Sequence, residues 1–133
     1  MTPHDRELVQ TSFEKVAPIA VAAAEIFYNR LFETDPKLKP LFKGDMTEQG
    51  RKLMTMLGYV ITNLHRIEEL VPAIKDLARR HVGYGVTPKD YDTVGSALIW
   101  TLEKGLGDDF TPQTRAAWLS CYGALTGIML SST

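Results

Sequence analysis

Apolar residues recur at helical spacing along almost the whole chain, with proline and glycine as punctuation. Leu8, Val9, Phe13 and Val16 form one stripe, and Ala24, Phe27, Tyr28, Leu31 and Phe32 a second. Leu53, Leu57, Val60, Ile61 and Leu64 form a third, and Ile74, Leu77 and Ala78 lead toward His81. Tyr91, Val94, Leu98 and Leu102 follow, then Trp118, Cys121, Tyr122, Leu125, Ile128 and Met129. Each set suits one buried face of a helix. Three helices should open on Thr2-Pro3, Thr87-Pro88 and Thr111-Pro112, because threonine caps and proline suits the first helical position. Pro18 should open the second helix after a tight bend, and Asp35-Pro36 should end it. Residues 36–42 read as a short turn-rich piece and Lys43-Gly44-Asp45 as a loop. Asp45-Met46-Thr47-Glu48 resembles a capping box for a helix reaching about Leu64. Residues 66–70 read as a polar linker, and Gly83 and Gly85 as the stop after His81. No strand pattern and no repeat is visible. The expectation is an all-α fold forming a single domain over residues 1–133.

Three polar residues lie on the lines of these stripes. Tyr28 carries a hydroxyl into the second, and Gln49 stands four residues before Leu53. His81 stands seven positions after Ile74, where the spacing calls for an aliphatic residue. Each has a bland reading: a core tyrosine, a first-turn glutamine running out to solvent, a core histidine with one partner. If the three face one cavity, it holds a nitrogen ligand on one side and two hydrogen-bond donors on the other. That asymmetry suits a haem iron with a diatomic ligand. His4, His65 and His81 show no paired zinc spacing, and Gly83-Tyr84-Gly85 is no dinucleotide loop. Cys121 lies among apolar residues and reads as packing.

Composition narrows the field of partners. Fifteen basic and sixteen acidic residues give a net charge of −1, which argues against nucleic acid or an anionic membrane recruited by charge. A lone cysteine permits no internal disulfide. The charged start lacks a signal-peptide pattern, and the apolar run at residues 16–24 is too short to span a bilayer. A cytoplasmic protein is expected.

The chain resembles the globins over essentially its whole length, and among them neuroglobin and the haem domain of flavohaemoglobins. The carrying stretches are Phe27-Tyr28-Asn29-Arg30-Leu31-Phe32, Pro40-Leu41-Phe42, Arg80-His81, residues 94–104, and Phe110-Thr111-Pro112 with Thr114-Arg115-Ala116-Ala117-Trp118. The resemblance implies a globin fold around one haem b. It gives His81 the role of proximal iron ligand and Phe42 that of the ring stacked on the haem. Gln49 falls at the distal position usually held by histidine, Leu53 at the apolar wall of the ligand pocket, and Tyr28 at a distal tyrosine. Lys52 falls beside a haem propionate, with a solvated helix charge as its other reading. Val86 and Tyr91 fall near the proximal face.

Departures from the pattern carry expectations of their own. Gln49 is a poor iron ligand, so a vacant or water-bound sixth position is expected at rest. His65 does not replace it, lying sixteen residues further on, roughly 24 Å along one helix at 1.5 Å per residue. The resemblance to flavohaemoglobins also brings a proximal glutamate, but the aligned end of this chain is Thr133. No flavin or NAD domain is expected after it. The implied ligands are O2, NO and other small haem ligands, with a separate reductase as partner and a monomer as the state. High O2 affinity with slow release follows from two donors aimed at one ligand. Storage or scavenging of O2 is one implied role, and conversion of NO to nitrate another. A haem-based gas sensor or an electron-transfer protein is the alternative.

Overall fold

In the computed structural model, which describes residues 2–42, 44–83 and 86–131, the chain forms six α-helices and no strand among those residues. They are α1 (Pro3–Val16), α2 (Ala20–Thr34), α3 (Met46–Thr62), α4 (Ile67–Gly83), α5 (Pro88–Leu106) and α6 (Pro112–Leu130). Short 3₁₀ segments at Ala17–Ile19, Pro36–Leu41, Leu64–Arg66 and Gly107–Asp109 join them. The expected loop residue Lys43 and stop residue Gly85 lie outside the described residues, as does Thr133.

All three Thr-Pro starts fall where the sequence puts them. Thr2 and Thr87 complete capping boxes with Asp5 and Asp90, and Thr111 accepts the Thr114 amide at 3.1 Å. Each cap satisfies an amide that the helix leaves orphaned, worth about 1 kcal/mol. Asp45 caps α3 through the Thr47 amide at 2.8 Å. The reciprocal bond expected from Glu48 is not part of this cap; that carboxylate reaches Arg51 at 3.2 Å. α3 stops at Thr62 because Asn63 closes it, donating to the Tyr59 carbonyl and accepting from Arg66. The expected linker at residues 66–70 is shorter in fact. Leu64 and Leu70 are both buried, and α4 begins at Ile67.

α1 packs on α6, and α2 on α5; α3 leans on α2 and α1, while α4 rests on α6. The consecutive helices α3 and α4 are therefore not packed side by side. α5 serves both: Val94, Ala97 and Leu98 pack with residues of α2 and α3, and Tyr91 packs with residues of α4. The main core holds Val9, Leu64, Leu102, Trp118 and Cys121. Its one indole N–H is satisfied by buried Ser12, at 2.8 Å.

Two glycines permit close approaches. A Cβ on Gly50 would stand 2.9 Å from the Cβ of Ala24, where α3 crosses α2. A Cβ on Gly95 would stand 2.7 Å from Cε2 of Tyr122, and 3.1 and 3.3 Å from two more atoms of the same ring. The ring lies close on α5 only because that side chain is missing. Gly95→Ala is expected to cost about 1–3 kcal/mol through overpacking, against the usual helical gain of alanine, and a thermal or urea melt reads it.

Candidate functional site

One group of candidate residues sits at the end of α4. Leu70, Ile74 and Ala78 bury the stripe, and His81 sits half-buried one turn further on. Its Nδ1 lies 2.7 Å from the carbonyl oxygen of Leu77. A carbonyl only accepts, so Nδ1 carries a proton, which in the neutral ring leaves the lone pair on Nε2. This is the state in which imidazole binds a metal, held in orientation by its second nitrogen. The helix end is closed by the Val86 amide, which returns to the His81 carbonyl at 3.0 Å. The Tyr91 ring stands 6.4 Å from the His81 ring, inclined by 32°. Tyr91 is itself held from behind, its carbonyl accepting the Tyr122 hydroxyl at 2.5 Å. Val86 and Tyr91 share one apolar cluster with Leu77.

The other group comes from α2, α3 and the segment between them. Tyr28 is buried, edge-on to Phe42 at 5.4 Å and stacked on Phe32 at 6.0 Å. Phe42 and Leu53 belong to the same cluster, both only partly buried. Gln49 comes near enough to Tyr28 to act on its phenol. Lys52 is exposed on α3 and has no ion pair among the described residues. Thus Tyr28, Phe42, Gln49 and Leu53 are brought together, as are His81, Val86 and Tyr91, while Lys52 stands apart in solvent. His65 lies on the 3₁₀ turn beyond α3, exposed.

Burial pushes the Tyr28 phenol up to about 12, and the Gln49 hydrogen bond pulls the other way. The phenol therefore stays protonated, a donor, throughout the neutral range. Burial also raises Tyr91 and Tyr122. The folded protein holds these protons at pH values where the unfolded chain gives them up, so stability is intact below pH 10 and falls as pH rises from 10 toward 12. Tyr28 alone accounts for about 2–3 kcal/mol of that loss. Alkaline melts of the parent and of Tyr28→Phe read it: the variant is expected to lose less stability between pH 10 and 12.

No group of three or more His, Cys, Asp or Glu side chains able to hold a bare metal ion occurs among the described residues. A single imidazole is too few ligands for a free ion but suits a metal that arrives with its own equatorial ligands. The donor set fits haem: one imidazole held through its Nδ1, two hydrogen-bonding side chains in the other group, and partly buried apolar side chains around them.

The Globin family profile matches residues 25–129. The chain belongs to the globin family. As a globin it is 30% identical to a Flavohemoprotein of Rhizobium meliloti over 97% of its own length, and 29% identical to a Flavohemoprotein of Xylella fastidiosa over 96%. It spans 33% of the length of each of those proteins. It is 27% identical to a Neuroglobin of Tetraodon nigroviridis, covering 97% of this chain and 90% of that one. The six-helix architecture is the globin fold. No described helix is long and apolar enough to cross a membrane.

Periodicity alone misses several residues that shape this globin's site. Gly50 and Gly95 are invisible to it, although a glycine inside a helical pattern is a known flag for close approach. Phe32 reads as core from the pattern, but not as the ring stacked on Tyr28. The bond from Tyr122 to the Tyr91 carbonyl joins residues 31 positions apart, and no local pattern announces it.

Proposed function

We propose that this globin binds haem b between α3 and α4 and holds O2 with high affinity and slow release. The observation that carries this reading is the pairing of Tyr28 with Gln49 in the wall that carries Phe42 and Leu53. When bound, haem would supply an iron that takes a diatomic ligand and, in NO dioxygenation, would give up one electron for a separate reductase to return. His81 offers Nε2 to that iron, and Leu77 fixes the ring by accepting from Nδ1. Donation from Gln49 to the phenol oxygen would leave the phenol proton free to point at a ligand. Donors fixed in a partly desolvated wall need no reorganisation when charge develops on the ligand. Phe42 would pack against the haem, Leu53 would wall the ligand space, and Val86 and Tyr91 would shape the His81 side. Lys52, exposed and unpaired among the described residues, is free to meet a propionate. The iron and the gas ligands O2 and NO come to the site by this reading. So do a cytoplasmic location, a monomeric state and a single domain over residues 1–133.

Tight retention of O2 suits conversion of NO to nitrate better than transport. The test begins with absorption spectra of the purified protein in ferric, deoxy-ferrous and oxygenated forms, followed by O2 release. A five-coordinate deoxy spectrum with slow release supports the reading. Nitrate is then measured against NO supplied, with a reductase present. Turnover no faster than free haem removes the enzymatic part and leaves O2 storage. A six-coordinate deoxy spectrum removes the open distal site and favours sensing or electron transfer.

A further inference from the structure

Tyr28 and Phe32 stand four residues apart on α2, so their side chains meet on one face of the helix. Their rings are stacked, with centroids 6.0 Å apart and planes inclined by 25°. Two further rings stand edge-on to the phenol. Phe27, from the same helix, is 5.1 Å away at 73°, and Phe42, just past the 3₁₀ segment, is 5.4 Å away at 69°. Phe32 and Phe42 also meet each other edge-on, at 5.4 Å and 65°. The backbone of α3 closes in as well, since a Cβ on Gly50 would stand 3.9 Å from Cε2 of Tyr28. The Tyr122 hydroxyl is tied to a carbonyl, whereas the ring of Tyr28 is held by other rings.

The three phenyl groups are not equivalent. Phe27 is buried and belongs to the interior. Phe42 has the haem to pack against in the proposed site. Phe32 has neither task and is only partly buried. An open groove of about 690 Å³ runs along α1, α2 and α3, and Val21, Tyr28 and Phe32 all line it. Val21 is 77% exposed there, so the groove belongs to solvent, yet Tyr28 is only 6% exposed. Of the stacked pair, Phe32 therefore takes the solvent side and Tyr28 the dry side. The stack shields one face of the phenol from the groove and fixes the plane in which the ring lies. For a hydroxyl on a rigid ring, that plane sets where the proton can point.

We propose that Phe32 is a positioning residue for O2 retention: it touches no ligand and acts through Tyr28, holding the phenol in the plane from which it donates. The proposal rests on the haem-binding reading for its kinetic effect, while the holding of the ring does not need haem. Loss of an aromatic pair of ordinary strength corresponds to about a two- to tenfold change in an equilibrium. Phe32→Leu, which keeps an apolar side chain but not the ring, is expected to speed O2 release by about that factor. CO takes little from a donor when bound, so its release is expected to stay as in the parent.

Stopped flow on the haem-loaded protein reads both rates in Phe32→Leu, in Tyr28→Phe and in the double variant. Once the phenol is gone, Phe32→Leu is expected to add nothing, because a positioning residue has no effect without the group it positions. Phe32→Met, of similar reach, takes its place should the leucine variant fail to fold. The second readout is independent of haem. NMR of ring-labelled tyrosine follows the flipping of the Tyr28 ring, whose signals are assigned by their loss in Tyr28→Phe. In close-packed surroundings a ring turns only when its neighbours yield. The two edges of the Tyr28 ring are therefore expected to give separate signals in the parent and to merge at a lower temperature in Phe32→Leu. Equal acceleration of O2 and CO release, or full acceleration persisting in the Tyr28→Phe background, overturns the proposal and leaves Phe32 as packing. An unchanged ring flip in a folded variant overturns it too. Failure of the parent to take up haem sinks the reading on which the kinetic effect rests, and the ring-flip result still decides whether Phe32 holds Tyr28.

Discussion

Replacing His81 with glycine is expected to abolish stable haem binding. The loss should exceed the roughly 10–100-fold that removal of an outer-shell partner costs in metal sites, because His81 is the direct ligand in the proposed site. Soret absorbance after gel filtration, and transfer of haem to an excess of an apo-acceptor, measure it. Free imidazole should restore the five-coordinate ferrous spectrum in the glycine variant, since the vacated space matches the ring that left. His81→Ala without imidazole should behave as the glycine variant does. Retention of a normal spectrum in either would place the iron ligand elsewhere. The fold should survive the change, because His81 is only half-buried and its single hydrogen bond is to the helix beneath it. Far-ultraviolet circular dichroism of the haem-free variant, set beside haem-free parent, separates loss of a ligand from loss of structure.

Tyr28→Phe is expected to give the second largest effect, an acceleration of O2 release by about ten- to a hundredfold. A hydrogen bond to a group that carries charge is worth about 1.5–3 kcal/mol, and each 1.4 kcal/mol is about a factor of ten. O2 dissociation is followed by stopped flow against excess CO. CO carries less charge than O2 when bound, so its release should change far less, and this contrast identifies a lost donor rather than an enlarged pocket. Gln49→Leu should have the smaller effect, acting in part through the orientation of the phenol it touches. If Gln49→Leu exceeded Tyr28→Phe, the glutamine would be the primary donor and the tyrosine its support.

Much of the architecture is legible in the sequence because it is local. Thr-Pro at three helix starts, a helical stripe period and the break at Asp35-Pro36 all act within a few residues, and the helices form where these signals lie. Misjudged boundaries have tertiary causes. Glu48 joins Arg51 rather than completing a cap, and buried Leu64 and Leu70 pull a polar-looking linker into structure. Tyr28, Gln49 and His81 stand out in the sequence because each breaks an apolar line. Periodicity does not separate their bland readings from the sharp one, since a stripe shows which face a side chain takes and not what it meets.

The sequence by itself determined the helices, their caps, their apolar faces and the residue types that a haem would need. Only the tertiary structure decided that Gln49 comes near Tyr28, that the Tyr91 ring stands beside His81, and that the Tyr122 hydroxyl bonds the Tyr91 carbonyl. The physical reason is range. Caps and periodicity are set by neighbours along the chain, whereas these contacts need helices that cross closely, as α2 and α3 do at Gly50 and as Tyr122 does over Gly95.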